Sequence, residues 1–197
     1  MQVVVVESVT LDGVMQAPGR PDEDERGGFA HGGWAVPYND PVMGRAMGER
    51  MARGGALLLG RRTYEDLYGY WPKQPPNPFT EKLTRTTKYV ASTTLREPLP
   101  WEHSVLVEGD AVDAVRRMKG GDEDLGIIGS GALVRALARA GLVDEFLLLV
   151  HPLVLGTGQR LFDGVDAALR LVDTLTTTKG VIIATYRPAA ASGEEEG

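Results

Sequence analysis

Cysteine is absent from this sequence. Its absence excludes disulfide staples, thiol catalysis and cysteine-held metal centres together, and weakly favours a reducing compartment. Basic residues are outnumbered, with 21 lysines and arginines against 27 aspartates and glutamates, a formal charge of −6. General affinity for a phosphate backbone needs the opposite balance, so no nucleic-acid partner is expected, although a local anion pocket stays open. No apolar run approaches the roughly 18 residues of a membrane span, and Met1-Gln2-Val3-Val4-Val5-Val6-Glu7 lacks the basic start of a secretory signal. A soluble cytoplasmic protein without a membrane partner is the expectation. Histidine is scarce: His31, His103 and His151 stand apart, without an H-E-x-x-H pair, a Gly-x-Ser-x-Gly elbow or a P-loop lysine. Nothing supports a metal site.

Glycine and proline are plentiful instead, 25 and 12 in 197 residues, with no three-residue period and beside 43% apolar content. They belong to the turns of a globular chain whose length fits one domain at roughly 150 residues per domain. Val3 to Val9 reads as a buried strand, because β-branched residues in a row suit a strand covered on both faces. Thr10 to Tyr38 is a Gly/Pro/Asp-rich connection, long enough that function or disorder is its usual reason, and it is expected to border a site. Asp40-Pro41 then caps a helix with apolar spacing from Val42 to Met51.

The remaining chain alternates. Strands are predicted at 56–60, 89–91, 104–107, 124–128 and 144–150, and helices from Arg61, over 110–118 and over 130–140. Pro72 to Pro78, with four prolines in seven positions, reads as irregular loop. A last strand over 181–186, approached by Thr176-Thr177-Thr178 and Lys179-Gly180, predicts an antiparallel edge on an otherwise mostly parallel sheet. Residues 189–197, ending Gly-Glu-Glu-Glu-Gly, read as a disordered acidic tail after a domain spanning 1–188.

Three strand ends carry polar chemistry. Leu57-Leu58-Leu59-Gly60-Arg61-Arg62-Thr63 delivers a glycine, two cations and a hydroxyl to a helix start, which is either an ordinary cap with solvated arginines or an anion site. Ile127-Ile128-Gly129-Ser130-Gly131-Ala132 repeats the form. It is half of a dinucleotide fingerprint, since Val134 stands where the third glycine would be, and it serves either a pyrophosphate or a tight strand-to-helix turn. Val90-Ala91-Ser92-Thr93-Thr94 ends another strand with hydroxyls. Ligands of α/β proteins occupy the crevice beyond the carboxyl ends of parallel strands, where these three ends can converge. Asp12 follows the first strand and either orients a substrate or belongs to an Asp-Gly turn; Trp34, Tyr38 and Phe29 could cover a flat ligand, and Tyr70 and Trp71 either rim a pocket or cover the core.

In series, these segments resemble the dihydrofolate reductase-like family, in particular the C-terminal reductase domain of bifunctional riboflavin biosynthesis proteins. The resemblance is carried by Glu7 to Gly13, Leu58 to Glu65, Val90-Ala91-Ser92, Gly129-Ser130-Gly131, and Val143-Asp144-Glu145 through Gly158, and runs from about Val3 to Arg187. It implies a three-layer α/β/α fold around a central mixed, mostly parallel sheet, and hydride transfer from NADPH. On the family pattern, Gly60, Arg61, Arg62 and Thr63 would hold cofactor phosphate. Ser92 and Thr93 would approach the adenosine-side phosphate, and Gly129, Ser130, Gly131 and Ala132 would receive the pyrophosphate. Asp12 is then the candidate for substrate orientation and Trp34 for a pocket wall. The helix after Asp40 carries no acid where folate-reducing members present one, a departure that points away from dihydrofolate itself. The substrate implied is a small pterin, flavin precursor or related heterocycle. The alternatives are riboflavin-pathway reduction of a ribosylated pyrimidine, with Arg20, Arg26 or Lys73 meeting its sugar phosphate, and a catalytically inactive nucleotide-binding protein. Members of this branch often look like homodimers.

Overall fold

The computed structural model describes residues 1–189. From residue 190 onward the expected acidic tail lies outside the described residues. The valine run forms β1 (Val3–Thr10), with Val3, Val4 and Val5 fully buried, near the middle of one sheet that carries all eight strands. The others are β2 (Ala56–Gly60), β3 (Lys88–Ala91), β4 (Ser104–Val107), β5 (Leu125–Ile128), β6 (Glu145–His151), β7 (Leu169–Thr176) and β8 (Ile182–Pro188). Their spatial order is β4-β3-β2-β5-β1-β6-β8-β7. Strands β1 to β6 pair in parallel, whereas β8 runs antiparallel to β6 and β7 antiparallel to β8, giving the mixed, mostly parallel sheet expected.

Alternation of side chains sorts the two faces. Val3, Val5, Leu58, Leu125, Ile127 and Leu148 pack with α4 (Ala111–Met118) and α5 (Gly131–Arg139), whose Val115, Leu133, Val134 and Leu137 are buried. On the other face, Met43 of α1 (Pro41–Ala52) meets Leu147 and Leu149, while Tyr64 of α2 (Arg61–Tyr70) and Leu83 of α3 (Pro78–Arg85) meet Leu59 and Val90. Helices on both faces make the three layers. The pair Asp144 and Glu145 is structural: Asp144 accepts from the Val3 amide and Lys119, and Glu145 meets Arg187 and Arg50.

One segment differs from expectation, and a second takes the ordered form of its two alternatives. Pro78 does not sit in an irregular loop but opens α3, because a first-turn proline is pre-set for a helix, and Asn77 and Thr80 cap each other reciprocally. The connection after β1 is ordered and carries a small core of its own, Val14, Ala17, Phe29, Trp34 and Ala35, tied by the Gln16 amide to the carbonyls of Asp24 and Arg26.

Strand lengths position the site. The last residue of β5, Ile128, pairs with Val6, but β1 runs on from Glu7 to Thr10 beside β6 alone. A notch therefore opens beyond β5, at the carboxyl edge of the parallel strands.

Candidate functional site

The notch is the inner end of a cleft of about 930 Å³. Val6 to Ser8 form its floor, the turns at Gly60–Thr63 and Gly129–Ala132 form its walls, and residues 15–18 and 23–26 of the long loop cover it. Burial of apolar side chains places the loop there, since Met15 packs into the core beside α5.

The two walls are stitched together. The Gly60 amide donates to the Ser130 hydroxyl oxygen at 2.9 Å, and the Ser130 amide donates to Thr63 Oγ1 at 2.9 Å. Neither α2, begun at Gly60, nor α5, begun at Ser130, has a side-chain cap, so the amides that follow Gly60 and Ser130 in the two first turns remain free for an anion. Gly129 has φ +59, and a Cβ there would stand 2.9 Å from Thr63 Cγ2. Glycine is thus needed twice over, for its dihedral and for the close approach. A Cβ on Gly131 would lie 2.6 Å from Met15 Sδ.

Of the residues singled out from the sequence, Gly60, Arg61, Arg62, Thr63, Gly129, Ser130, Gly131 and Ala132 all line this one cleft. Arg61 is paired with Glu65 at 2.8 Å; Arg62 is exposed and has no ion-pair partner among the described residues. Ser92 and Thr93 follow β3, whose Ala91 pairs with Gly60, but they are not part of the cleft lining, and the Ser92 hydroxyl accepts the Thr94 and Leu95 amides of its own turn.

Asp12 and Trp34 lie elsewhere. Asp12 accepts from the Thr10 hydroxyl (2.5 Å) and the Leu155 and Gly156 amides (3.2 and 2.8 Å), and has Arg160 at 3.5 Å. The Thr10 hydroxyl above all, with those amides, holds its pKa down to about 2. Such a carboxylate anchors the 155–160 turn and is a poor proton donor. Trp34 is buried in the loop's own core, donates from Nε1 to the Gln16 carbonyl at 2.7 Å, and meets the His151 ring edge-on. Phe29 shares that core, Tyr38 also meets His151, Tyr70 stacks under Arg20, and Trp71 packs on Phe79. None of these aromatic rings lines the cleft.

What sequence reasoning passed over is acidic. Glu7 is 4% exposed at the cleft floor, and its Oε1 has no hydrogen-bond partner among the described residues. Burial, then the neighbouring Glu23, pushes its pKa well up, against the pull of the Gly129 amide. Glu23 reaches the cleft from the loop while its Oε2 accepts the Gly19 and Arg20 amides at 2.6 and 3.0 Å. A signal existed: Val3, Val5 and Val9 make one apolar stripe, and Glu7 interrupts it.

The family model of the RibD C-terminal domain matches residues 1–183. A protein of Bacillus subtilis (strain 168), YyaP, described as uncharacterized, is 29% identical over 193 residues, covering 94% of each chain. Among solved structures, a Shewanella sp. PV-4 protein provisionally named for riboflavin biosynthesis superposes with a TM-score of 0.68 at 20% identity, over 96% of this chain and 100% of that one. A dihydrofolate reductase from Enterococcus faecalis, solved with NADP(H) and RAB-propyl, gives a TM-score of 0.60 at 15% identity, over 96% and 97%. The fold is therefore that of the dihydrofolate reductase-like proteins. No helix among the described residues is long and apolar enough to cross a membrane.

Proposed function

The chain belongs to the RibD C-terminal domain family, and from that premise we propose that it is an NADPH-dependent reductase of a small pterin-like or flavin-precursor heterocycle. One observation carries the reading: two uncapped helix N-termini, locked to each other through Ser130 and Thr63, open on a single cleft. The amides at the start of α5 and the glycines at 129 and 131 fit a pyrophosphate, which needs close backbone approach and free donors. The Ser130 oxygen already accepts from Gly60, which leaves its hydrogen to donate. Arg62, with Arg61 beside it, is the cation available to a further phosphate, and Ser92 and Thr93 stand at the adjoining strand end. When bound, NADPH supplies a hydride from its nicotinamide C4; the protein supplies orientation, a covered cleft and a proton.

Reduction of a ribosylated pyrimidine is the less favoured reading. Its sugar phosphate needs a free cation at the cleft, whereas Arg20 is held by Asp66, Arg26 is held by Asp24, and Lys73 is not among the residues that line it. Titration of the purified protein with NADPH and NADH, followed by quenching of tryptophan fluorescence, tests the cofactor assignment. NADPH is expected to bind at least tenfold more tightly, with the difference lost in Arg62→Ala; equal binding of the two by the wild-type chain overturns the preference. The exposed Leu171, Val172, Leu175 and Ile182 of β7 and β8 support a homodimer through this edge. Light scattering at twice the chain mass is the expected result.

A further inference from the structure

Glu7 is unusual in position as well as in burial. It shares the sheet face of Val3, Val5 and Val9, where the helical layer of α4 and α5 makes an apolar core. It is the first residue of β1 beyond the end of β5, so its carboxyl stands where the sheet gives way to the cleft. A carboxylate desolvated there with one oxygen unpartnered is costly, and the neutral acid is the form such a site accepts. A neutral acid carries one hydrogen to give away, and Oε1 meets no partner among the described residues.

Charged groups lie around the cleft on every side but the floor. The loop contributes Glu23, Asp24, Glu25 and Arg26, α2 contributes Arg61, Arg62, Glu65 and Asp66, and α5 contributes Arg135, while β6 sets Leu148 beside Glu7. Most are already engaged: Arg61 with Glu65, Arg26 with Asp24, Asp66 with Arg20, and Arg135 with the Arg160 carbonyl. Glu23 is the group whose charge acts on Glu7. Burial pushes the Glu23 carboxyl up as well, against the two amides that hold its Oε2; Glu7, more deeply buried and without those amides, is pushed further and is the member of the pair that keeps a proton.

We propose that Glu7, as a neutral acid, is the proton donor of the cleft, and that with the Glu23 carboxylate it selects an aminopyrimidine-type heterocycle with a reducible ring carbon–nitrogen double bond. Glu23 accepts an amino or ring N–H of that substrate, and Glu7 donates to its ring nitrogen. As hydride adds to the carbon, the π electrons move to nitrogen, and nitrogen takes the Glu7 proton. The product is the ring amine, the nicotinamide is left oxidised, and the Glu7 carboxylate recovers its proton from water. This assignment rests on the reductase reading, but two of its tests do not need NADPH.

Carbon-13 labelling of glutamate lets Glu7 be titrated by NMR in the full chain. Glu7 is expected to hold its proton well above 4.5, and to titrate lower in Glu23→Gln; an ordinary carboxyl titration in the wild type overturns the proposal. The second probe is 6-methylpterin, followed by its own fluorescence without cofactor. Binding is expected to weaken at least tenfold in Glu7→Ala and to persist within about threefold in Glu7→Gln, whose amide still donates. No binding by the wild type, or equal binding by Glu7→Ala, overturns it. With NADPH and 6-methyl-7,8-dihydropterin, Glu7→Gln is expected to lose roughly 10²- to 10⁴-fold in kcat with little change in KM, the range for a missing general acid. The wild-type fall in rate as pH rises through the Glu7 titration should vanish with it. Wild-type kcat and pH profile in Glu7→Gln overturn the proton role. A wild-type chain that binds the pterin with Glu7 protonated yet fails to bind NADPH refutes the reductase reading and leaves the binding role of Glu7 standing.

Discussion

Glu7 and Asp12 sit on the same strand and its turn, and they are opposite kinds of carboxyl. Asp12 is surrounded by donors, the Thr10 hydroxyl, two backbone amides and Arg160, and its pKa falls to about 2. Glu7 is buried with an unpartnered oxygen, near a second acid, and its pKa rises. Position after a strand and before a glycine made Asp12 the obvious acid in the sequence. Environment, which sequence position does not specify, separates an anchor from a proton donor. The two also divide the molecule: Asp12 ties β1 to the 155–160 turn, and Glu7 faces the cleft.

Turnover should separate them most. Where Glu7→Gln loses at least 100-fold in kcat, as expected of a lost general acid, Asp12→Asn is expected to stay within about threefold of wild type on the same pterin. A loss in Asp12→Asn as large as that in Glu7→Gln would erase the distinction. Stability should separate them the other way. Asp12→Ala strips the Leu155 and Gly156 amides of their acceptor, and about 2 kcal/mol of destabilisation is expected from those charge-assisted bonds. For a chain of this length that is roughly 4–8 °C in Tm, read by thermal unfolding.

Much of this architecture was legible before the structure, and the reasons are local. The valine run, the Asp40-Pro41 cap, the strand-glycine-helix punctuation at Gly60 and Gly129 and the late antiparallel edge each follow from chemistry within a few residues. Asn77 and Thr80 were equally local, but the four prolines around them read as loop when Pro78 is a helix start. The glycine-turn wall of the cleft was legible for the same reason, since the close approaches at Gly129 and Gly131 demand glycine there. The packing of the long loop was not. Trp34 looked like a pocket wall, yet whether a loop aromatic faces outward or fills the loop's own core depends on partners such as Gln16 and His151, one of them more than a hundred residues away. The pairing of Glu7 with Glu23 likewise arises only when the loop folds over the strand end.

The subtlest separation is in the pH dependence of stability, where the two carboxyls pull in opposite directions. Folding lowers the Asp12 pKa, so its contribution is present above the ordinary aspartate value of 3.8 and is lost as pH falls through about 2. Folding raises the Glu7 pKa, so between the ordinary 4.5 and the folded value the native chain holds a proton that the unfolded chain has released. Stability from that group therefore falls as pH climbs through the window. Removing the titration should reveal both signs: Asp12→Asn is expected to flatten the acid limb of Tm against pH below about 4, and Glu7→Gln to raise Tm over wild type by a margin that grows above pH 4.5. A buried acid whose neutral isostere makes the protein more stable while silencing it is retained for chemistry, because packing alone would have selected the amide or a hydrocarbon. Should Glu7→Gln instead lower Tm across the whole range, Glu7 is a structural hydrogen-bonding group like Asp12, and the contrast between them fails.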